Sequence, residues 1–167
     1  LDDYPNIEII LVDDRSDDAT GELVDAFAAK DPHVKPVHIR KLPDGWLGKV
    51  YALDQGAKIA TGDWLLFSDV DVHVSPGTVK KTISYAEERG LDHLAVFPDI
   101  LPVNFVIDII ITVFVRMLCL AGKVWAVEDP KSTAAIGSGS FNLVRKTALA
   151  RSKGFEWIKL EQGDDVA

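Results

Sequence analysis

Cysteine is nearly missing from this sequence, and long basic runs are missing altogether. The single cysteine, Cys119, lies in an apolar segment, which excludes a disulfide within the chain and a metal site built from several thiolates. The net charge of −8 and a pI near 4.9 argue against a nucleic-acid partner, because a polyanion requires a basic surface. The opening residues, LDDYPNIEIILV, have no basic, signal-like start and lead directly into a predicted strand.

What the sequence does contain is enough apolar residues for a core. It has 167 residues, of which 47% are hydrophobic, so we expect a single domain over residues 1–167. The chain begins next to a strand and stops in what reads as a helix start, LEQGDDVA. We therefore expect a piece of a longer protein, incomplete at both ends.

Strand-like and helix-like segments alternate along the first hundred residues. Short β-branched runs are typical of buried strands, and helical periodicity with capping residues follows each of the first three. This alternation predicts an α/β fold with a mostly parallel sheet flanked by helices, in which ligands bind beyond the carboxyl ends of the strands. The predicted strands are Ile7–Val12, Val34–Ile39, Trp64–Phe67 and His93–Phe97, and the predicted helices begin after Asp17 or Asp18, at Val50 and at Ser75-Pro76.

The segment Leu101–Gly122 is strongly apolar, and its few polar residues recur at every fourth position. On a helix, Asn104, Asp108, Thr112 and Arg116 form one narrow stripe. About twenty residues at ~1.5 Å each reach across a ~30 Å hydrocarbon layer. Asp108 and Arg116 are expected near the middle of the segment, which argues against a simple span. Two interpretations stay open: a helix at a membrane interface, and a core helix of a soluble domain.

Acidic clusters follow two of the predicted strands. Val12–Thr20 reads VDDRSDDAT, and Ser68–Val72 reads SDVDV. In a parallel sheet both clusters meet at one edge, where the crowded carboxylates repel one another unless a cation is present. Carboxylates spaced by one residue suit Mg²⁺ or Mn²⁺, which complete their coordination with water and phosphate oxygens. The clusters therefore predict a cation site for a phosphate-bearing ligand, although turn and cap chemistry explains either cluster taken alone.

Two further motifs follow the apolar segment. In AAIGSGSFNLVRK, Gly137 and Gly139 permit close approach of the backbone to a ligand, or simply a tight strand. In GDDVA, Asp164 and Asp165 stand at a predicted helix start. Capping is the favoured role for Asp164, whereas Asp165 serves as a general base only if the fold returns it to the crevice.

Taken in order, these motifs resemble a known family. EIILVDDRSDDAT, GWLGKVYALDQGAKIATGDWLLFSDVDVHVSP, IGSGSFNLVRKTAL and GDDVA are similar to the inverting glycosyltransferases of family 2, which have the GT-A fold. The chain most resembles the membrane-associated branch that contains ceramide glucosyltransferase-like and hopanoid- or carotenoid-associated enzymes. The resemblance spans nearly the whole chain.

The resemblance implies roles for the acidic clusters and for one lysine. Asp14 would read the nucleotide base, with Asp13 beside it. Asp69 and Asp71 would form the D-x-D pair, with Asp71 on the divalent cation, Mn²⁺ or Mg²⁺, and Asp69 on the cation or the ribose. Lys49, in GWLGK, would lie near the diphosphate.

The resemblance also implies an acceptor side and a base. Gly137, Ser138 and Gly139 would line the acceptor side together with Asp164, and Asp165 would be the catalytic base. Asp164 replaces the glutamate that is usual in the family. The domain would divide into a nucleotide-binding half at 1–98, an apolar helical segment at 99–124 and an acceptor side at 125–167.

The function that follows from the resemblance is metal-dependent, inverting transfer of a sugar from a nucleotide-sugar, most simply a UDP-sugar, to a lipid or lipid-like acceptor. We expect the whole protein at the cytoplasmic side of a membrane, against the membrane surface. Two alternatives stay open. LLFSDVDV, followed by Lys123 or Lys131 and then by GDD, also mimics a haloacid-dehalogenase-type phosphatase with Asp69 as nucleophile. An inactive nucleotide-binding or scaffold domain is the other.

Overall fold

The first part of the fold is a parallel pair of strands joined by a helix. In a computed structural model, which describes residues 4–129, 131–134 and 137–161, β1 (Ile9–Asp14) pairs in parallel with β2 (Val34–Ile39). Helix α1 (Thr20–Lys30) connects them, as a parallel crossover requires. The prediction for β2 is confirmed. The N-cap of α1 is Ala19 and not the predicted Asp17 or Asp18, although the carboxylate of Asp18 accepts from the N–H of Thr20, the first helical residue.

Strand β1 lies two residues later than predicted and includes both aspartates. The ladder runs to the Asp14–Ile39 pair, and the N–H of Arg15 then donates to the carbonyl of Ile39. The prediction failed because it ended the strand at the last apolar residue. A buried carboxylate is tolerated inside the strand here because the protein supplies it with donors, as described below.

Helix α2 (Gly48–Ile59) and strand β3 (Trp64–Phe67) follow. The helix begins two residues before the predicted Val50, since Leu47 is extended and its N–H donates to the carbonyl of Lys159. That bond ties the start of α2 to a distant segment, which local sequence does not reveal. Strand β3 has the predicted bounds.

A second sheet has the order β3-β5-β4, where β4 is His93–Ala95 and β5 is Asn142–Arg145. Both pairings are antiparallel, because β5 inserts between the other two strands and runs against them. The α/β class is confirmed. The expected mostly parallel pairing holds only for β1 and β2, since β5, in the motif where a short strand was expected, inserts between β3 and β4 and runs against both.

Helix α3 (Thr78–Glu88) covers one face of this second sheet. Its Val79 and Ile83 form a buried cluster with Phe141 and Leu143. The helix begins after Gly77, which has a φ of 78°, and not at the predicted Ser75-Pro76. The N–H of Thr78 donates to the carbonyl of Ser75, so that stretch forms a turn before the helix.

Helix α4 (Phe105–Ala121) occupies most of the apolar segment, and none of its residues is buried. Phe105 to Ala126 is long and apolar enough to cross a membrane, judged by length and composition only. Asn104 caps the helix by accepting from the N–H of Ile107, and Asp108 accepts from the N–H of Val103. The prediction that Asp108 lies near the middle of the segment is therefore wrong: it lies in the first turn, where a carboxylate favours helix formation.

The remaining described elements are short. A 3-10 helix spans Val124–Ala126, and β5 is followed by α5 (Lys146–Arg151) and α6 (Gly154–Trp157). Helices α5 and α6 lie near the face of the second sheet opposite α3, where Phe67 and Phe155 meet edge to face with ring centroids 5.6 Å apart.

Candidate active site

The two aspartates at the end of β1 have opposite surroundings. Asp13 is only 2% exposed, and its carboxylate accepts from the N–H of Ser16 at 3.2 Å and contacts Nδ1 of His38 at 3.1 Å. The hydrogen bonds from Ser16 and His38 lower the pKa of Asp13 below its usual value. Asp14, in contrast, reaches the surface. Of the two residues assigned to nucleotide binding, only Asp14 thus presents its carboxylate to the outside.

Asp14 is paired with its neighbour Arg15 through two hydrogen bonds, of 2.7 and 3.1 Å. Arg15 has a φ of 57°, in the left-handed region, so the chain reverses sharply after β1. The pair lies directly over Gly48: a Cβ there would stand 2.5 Å from Oδ2 of Asp14 and 2.8 Å from Nη2 of Arg15. Glycine at this position therefore permits the acidic end of β1 to reach the first turn of α2.

The next residue of α2 contacts the second acidic cluster. Nζ of Lys49 lies 3.7 Å from Oδ1 of Asp69, and both side chains are about half exposed, at 48% and 49%. The first turn of α2 thus stands between Asp14 on one side and Asp69 on the other. The two acidic strand ends belong to different sheets and so do not meet at one edge of a parallel sheet as predicted, but both approach the start of α2.

The D-x-D pair forms an exposed turn beyond β3. The N–H of Val72 donates to the carbonyl of Asp69, which places Asp71 within the turn. Asp71 is exposed, and no hydrogen bond or ion pair joins it to another residue in the part of the chain that the structure describes. Its carboxylate therefore needs no rearrangement to accept an external ligand.

The glycine-rich loop approaches the same turn. The N–H of Asp69 donates to the carbonyl of Gly139 at 3.1 Å, and the hydroxyl of Ser68 donates to the carbonyl of Ser140 at 2.8 Å. Ser138 is in hydrogen-bond contact with Ser140. The loop assigned to the acceptor side, Gly137 to Gly139, is therefore held against the D-x-D turn by its backbone.

The side chains of Asp69 and Asp71 are the candidate ligands for a divalent cation. Over residues 4–129, 131–134 and 137–161, no group of three or more His, Cys, Asp or Glu side chains is positioned to hold a metal. Mg²⁺ commonly binds through only one or two carboxylates and takes its other ligands from water and substrate phosphates. Asp69 and Asp71 fit that pattern. Asp69 also contacts the positively charged side chain of Lys49.

Sequence reasoning missed Glu8, which connects the first sheet to the segment before β3, at the strand ends opposite the acidic pairs. Its carboxylate accepts from the N–H groups of Thr61 and Gly62, just before β3, and pairs with Lys35 on β2. Desolvation alone would raise the pKa of Glu8, but Lys35 and the two N–H groups together lower it to about 2. The sequence signal for this role is one acidic residue before an apolar run, and that pattern does not predict these contacts.

A cavity of about 450 Å³ opens beside Lys49 and Asp69. It extends along the face of the second sheet that α5 and α6 flank, and it is mostly apolar. Phe67, Phe155 and Trp157 contribute aromatic walls. No sequence pattern had indicated this cavity, because its walls come from four separate segments.

Two predicted residues cannot be placed relative to this site. Asp164 and Asp165 lie outside the described residues, so the roles of acceptor-side residue and catalytic base stay predictions.

The helix start and the lysine between two acidic strand ends lie where α/β folds commonly place their ligand sites, beyond the carboxyl ends of the strands. Residues 1–111 match glycosyl transferase family 2. This match covers the strands and helices that form the acidic strand ends. The chain therefore belongs to glycosyl transferase family 2.

Three curated proteins that are similar to this chain are named as glycosyltransferases or as a glucosyl transferase homolog. Glycosyltransferase GlyG of Streptococcus pneumoniae is 34% identical over 89 residues, which are 53% of this chain and 28% of that protein. The 4,4'-diaponeurosporenoate glycosyltransferase of Staphylococcus haemolyticus is 36% identical over 89 residues, covering 51% and 23%. The prophage bactoprenol glucosyl transferase homolog of Escherichia coli is 35% identical over 79 residues, covering 45% and 24%. The chain matches about a quarter of the length of these relatives.

Family membership also decides between the enzyme classes left open by the sequence. The D-x-D turn follows two complete strand-helix units that belong to the family match. The phosphatase interpretation, in which Asp69 would open its domain as a nucleophile, is therefore not supported.

Proposed function

We propose that the whole protein transfers a sugar, with inversion, from a nucleotide-sugar to a lipid-like acceptor, using a divalent cation. The observation that supports this most directly is the first turn of α2, with Lys49, between the acidic ends of β1 and β3. The proposal extends the family assignment to a donor, an acceptor and a cation, each of which is argued separately below.

The diphosphate of the donor is proposed to bind beside Lys49. The start of an α-helix presents N–H groups and a partial positive charge, which favours phosphate, and Lys49 adds a full charge. Asp69 and Asp71 would hold Mn²⁺ or Mg²⁺ there, and the cation would neutralise the departing nucleoside diphosphate. In this arrangement Lys49 exchanges its contact with Asp69 for phosphate oxygens.

The base of the nucleotide is proposed to bind at Asp14. A carboxylate accepts from the imide N–H of a uracil-type base, and Asp14 reaches the surface next to the proposed diphosphate position. In the structure, the side chain of Arg15 donates a hydrogen bond to this carboxylate. We propose UDP as the nucleotide on this basis.

Transfer itself is proposed to need one base and no covalent intermediate. Asp165 would take the proton from the acceptor hydroxyl, whose oxygen forms a bond to the sugar as the bond to the diphosphate oxygen breaks. Attack on the face opposite the leaving group inverts the anomeric centre. Asp164 and the loop Gly137 to Gly139 would line the acceptor side.

The lipid-like acceptor is proposed from the exposure of α4. Phe105, Ile110 and Phe114 are 80%, 62% and 61% exposed, and no α4 residue packs into the core of the described structure. Such a contiguous apolar surface is typical of a membrane or protein contact, so the core-helix interpretation is not supported. We propose that α4 lies against the cytoplasmic side of a membrane, from which the acceptor would come. Two relatives are named as a 4,4'-diaponeurosporenoate glycosyltransferase and as a prophage bactoprenol glucosyl transferase homolog.

Binding of nucleoside diphosphates by the full-length protein tests the donor and the cation. UDP and GDP would be titrated by calorimetry with and without Mn²⁺, and we expect UDP to bind at least about tenfold more tightly when Mn²⁺ is present. Absence of binding by either nucleotide would favour the inactive scaffold alternative and overturn the proposal.

Flotation with phospholipid vesicles tests the membrane contact. Replacing Ile110 and Phe114 with serine in the full-length protein should reduce the vesicle-bound fraction several-fold, because apolar burial drives interfacial binding. Serine at Leu23 and Phe27, which are equally exposed on α1 at 58% and 60%, is the matched control. Equal losses from both pairs would contradict a specific role for α4.

A further inference from the structure

His38, at the end of β2, stands between two carboxylates on two other elements. Its Nδ1 lies 3.1 Å from Oδ2 of Asp13 on β1, and its Nε2 lies 2.9 Å from Oδ1 of Asp25 on α1. The imidazole is 19% exposed, whereas the Asp13 side chain is 1% exposed and that of Asp25 is 64% exposed. His38 therefore links one buried and one exposed acceptor across three elements.

Both contacts are hydrogen bonds only when the ring is doubly protonated. An ionised carboxylate is purely an acceptor, and neutral imidazole has one N–H donor. Loss of the ring proton thus leaves one carboxylate facing a ring nitrogen with no hydrogen between them. Whichever bond is given up, the ring is no longer held between β1 and α1, so the Asp13 carboxylate loses either its donor or the anchor of that donor on Asp25.

The carboxylate that His38 holds also forms the turn that presents Asp14. The other oxygen of Asp13 accepts from the N–H of Ser16, across the residue pair that includes Arg15 at its φ of 57°. A Cβ on Gly21 would stand 3.1 Å from Oδ2 of Asp13 and 3.7 Å from the His38 ring, so the packing around them is tight. Small changes in the Asp13 carboxylate therefore reach the backbone on either side of Asp14.

We propose that His38, as an imidazolium, is a positioning residue for nucleotide binding: it fixes Asp13, and through the Asp13–Ser16 turn it sets where Asp14 stands. This inference rests on the proposed function, since Asp14 is the residue proposed to read the base. His38 itself lies behind Asp14 and is not proposed to touch the nucleotide.

The charges around His38 favour its protonated form. The hydrogen bond to Asp13 and then the one to Asp25 raise the pKa of His38 above its ordinary value of 6.5, against desolvation and the nearby charge of Arg40, which lower it. A raised pKa means that the stabilisation is complete below about pH 6.5 and is lost as the pH rises through the higher, folded-state value. The charged groups facing His38 are Asp13 from β1, Asp25 from α1 and Arg40 from the end of β2.

The test measures UDP and GDP affinity, each with Mn²⁺, for full-length wild type and His38→Gln between pH 5.5 and 8.5. At each pH, the dissociation constant of the variant is divided by that of the wild type for the same nucleotide, so that the titration of the nucleotide itself cancels. We expect the variant to bind about tenfold more weakly at pH 6 and the ratio to fall toward one at pH 8.5. His33→Gln is the matched control, because His33 also pairs with an aspartate, Asp31, but at the opposite end of β2, and its ratio should stay near one throughout.

Two further measurements do not depend on the nucleotide. The ring resonances of His38 should report an imidazolium at pH 6.5 that is lost in Asp13→Asn, and the amide of Ser16 should exchange faster with solvent in His38→Gln. A ratio that does not vary with pH, in a protein that binds UDP or GDP, would overturn the positioning role and leave the proposed function standing. If neither nucleotide binds the wild type, the proposed function and this inference both fail, whatever the ring resonances report.

Discussion

The two acidic pairs of this protein have the same composition and opposite environments. Asp13 and Asp14 end a parallel strand, where one carboxylate is buried with His38 and the other is paired with Arg15. Asp69 and Asp71 form an exposed turn, in which Lys49 is near one carboxylate and the described residues offer no partner to the other. The first pair is satisfied by the protein and shapes its surroundings, whereas the second is the pair proposed to bind an external cation and phosphate.

The largest expected effect comes from removing the open carboxylate. Asp71→Asn in the full-length protein should weaken Mn²⁺-dependent UDP binding about 100-fold, because a divalent cation loses one of its two protein ligands. Thermal stability should be unchanged, since Asp71 makes no bond that the described fold would lose. Asp99→Asn, at another exposed carboxylate, is the control for calorimetry and melting. Equal effects from both variants would contradict the distinction between the pairs.

A smaller effect is expected from Glu8, which aligns the strands bearing the two pairs. Glu8→Gln should reduce the free energy of unfolding by about 1–2 kcal/mol at pH 7, a value discounted for solvent screening of a partly exposed group. Because the pKa of Glu8 is lowered from 4.5 to about 2, this stabilisation is present above pH 4.5 and is lost as the pH falls toward 2. Denaturant unfolding of wild type and variant at several pH values measures it. A variant as stable as wild type at pH 7 would refute the role of Glu8, and Glu22→Gln, at an exposed site on α1, controls for lost charge.

The smallest expected effect sharpens the comparison at the point where the pairs approach each other. Gly48→Ala should weaken UDP binding about fivefold, because the added Cβ displaces the ends of the Asp14 and Arg15 side chains. Stability should change little, as those side chains can move. Gly56→Ala in the same helix is the control: its Cβ would meet only Val12 and Ile10, at 3.4 and 3.8 Å, so UDP binding should be unaffected. Tighter or unchanged binding in Gly48→Ala would place the base away from Asp14.

Local sequence patterns predicted the bounds of two strands correctly. Strands Val34–Ile39 and Trp64–Phe67 have their predicted bounds, because short β-branched and aromatic runs bounded by turn residues leave few alternatives. The motif positions also led to the family, to which residues 1–111 belong. Asp14, Lys49 and Asp69, for which roles are proposed, lie around one helix start.

Predictions failed where a distant segment decides the local structure. Strand β5 inserts between β3 and β4, and Lys159 fixes the start of α2, so neither the antiparallel pairing nor the helix boundary was visible nearby. Asp108 was misplaced for a related reason: the apolar run was read from Leu101, while the cap at Asn104 starts the helix later. His38, which contacts Asp13, is 25 residues away from it, and the partners of Glu8 are 27 or more residues away.

The sequence by itself determined the α/β class, the family and which residue types carry the proposed chemistry, because those follow from periodicity and from motifs that need no partner. Only the tertiary structure decided what each carboxylate does. Donors on β2 and in the turn before β3 reach Asp13 and Glu8 from distant parts of the chain, while Asp71 receives none among the described residues. An aspartate's environment depends on what folds against it, and that is a property of long-range packing.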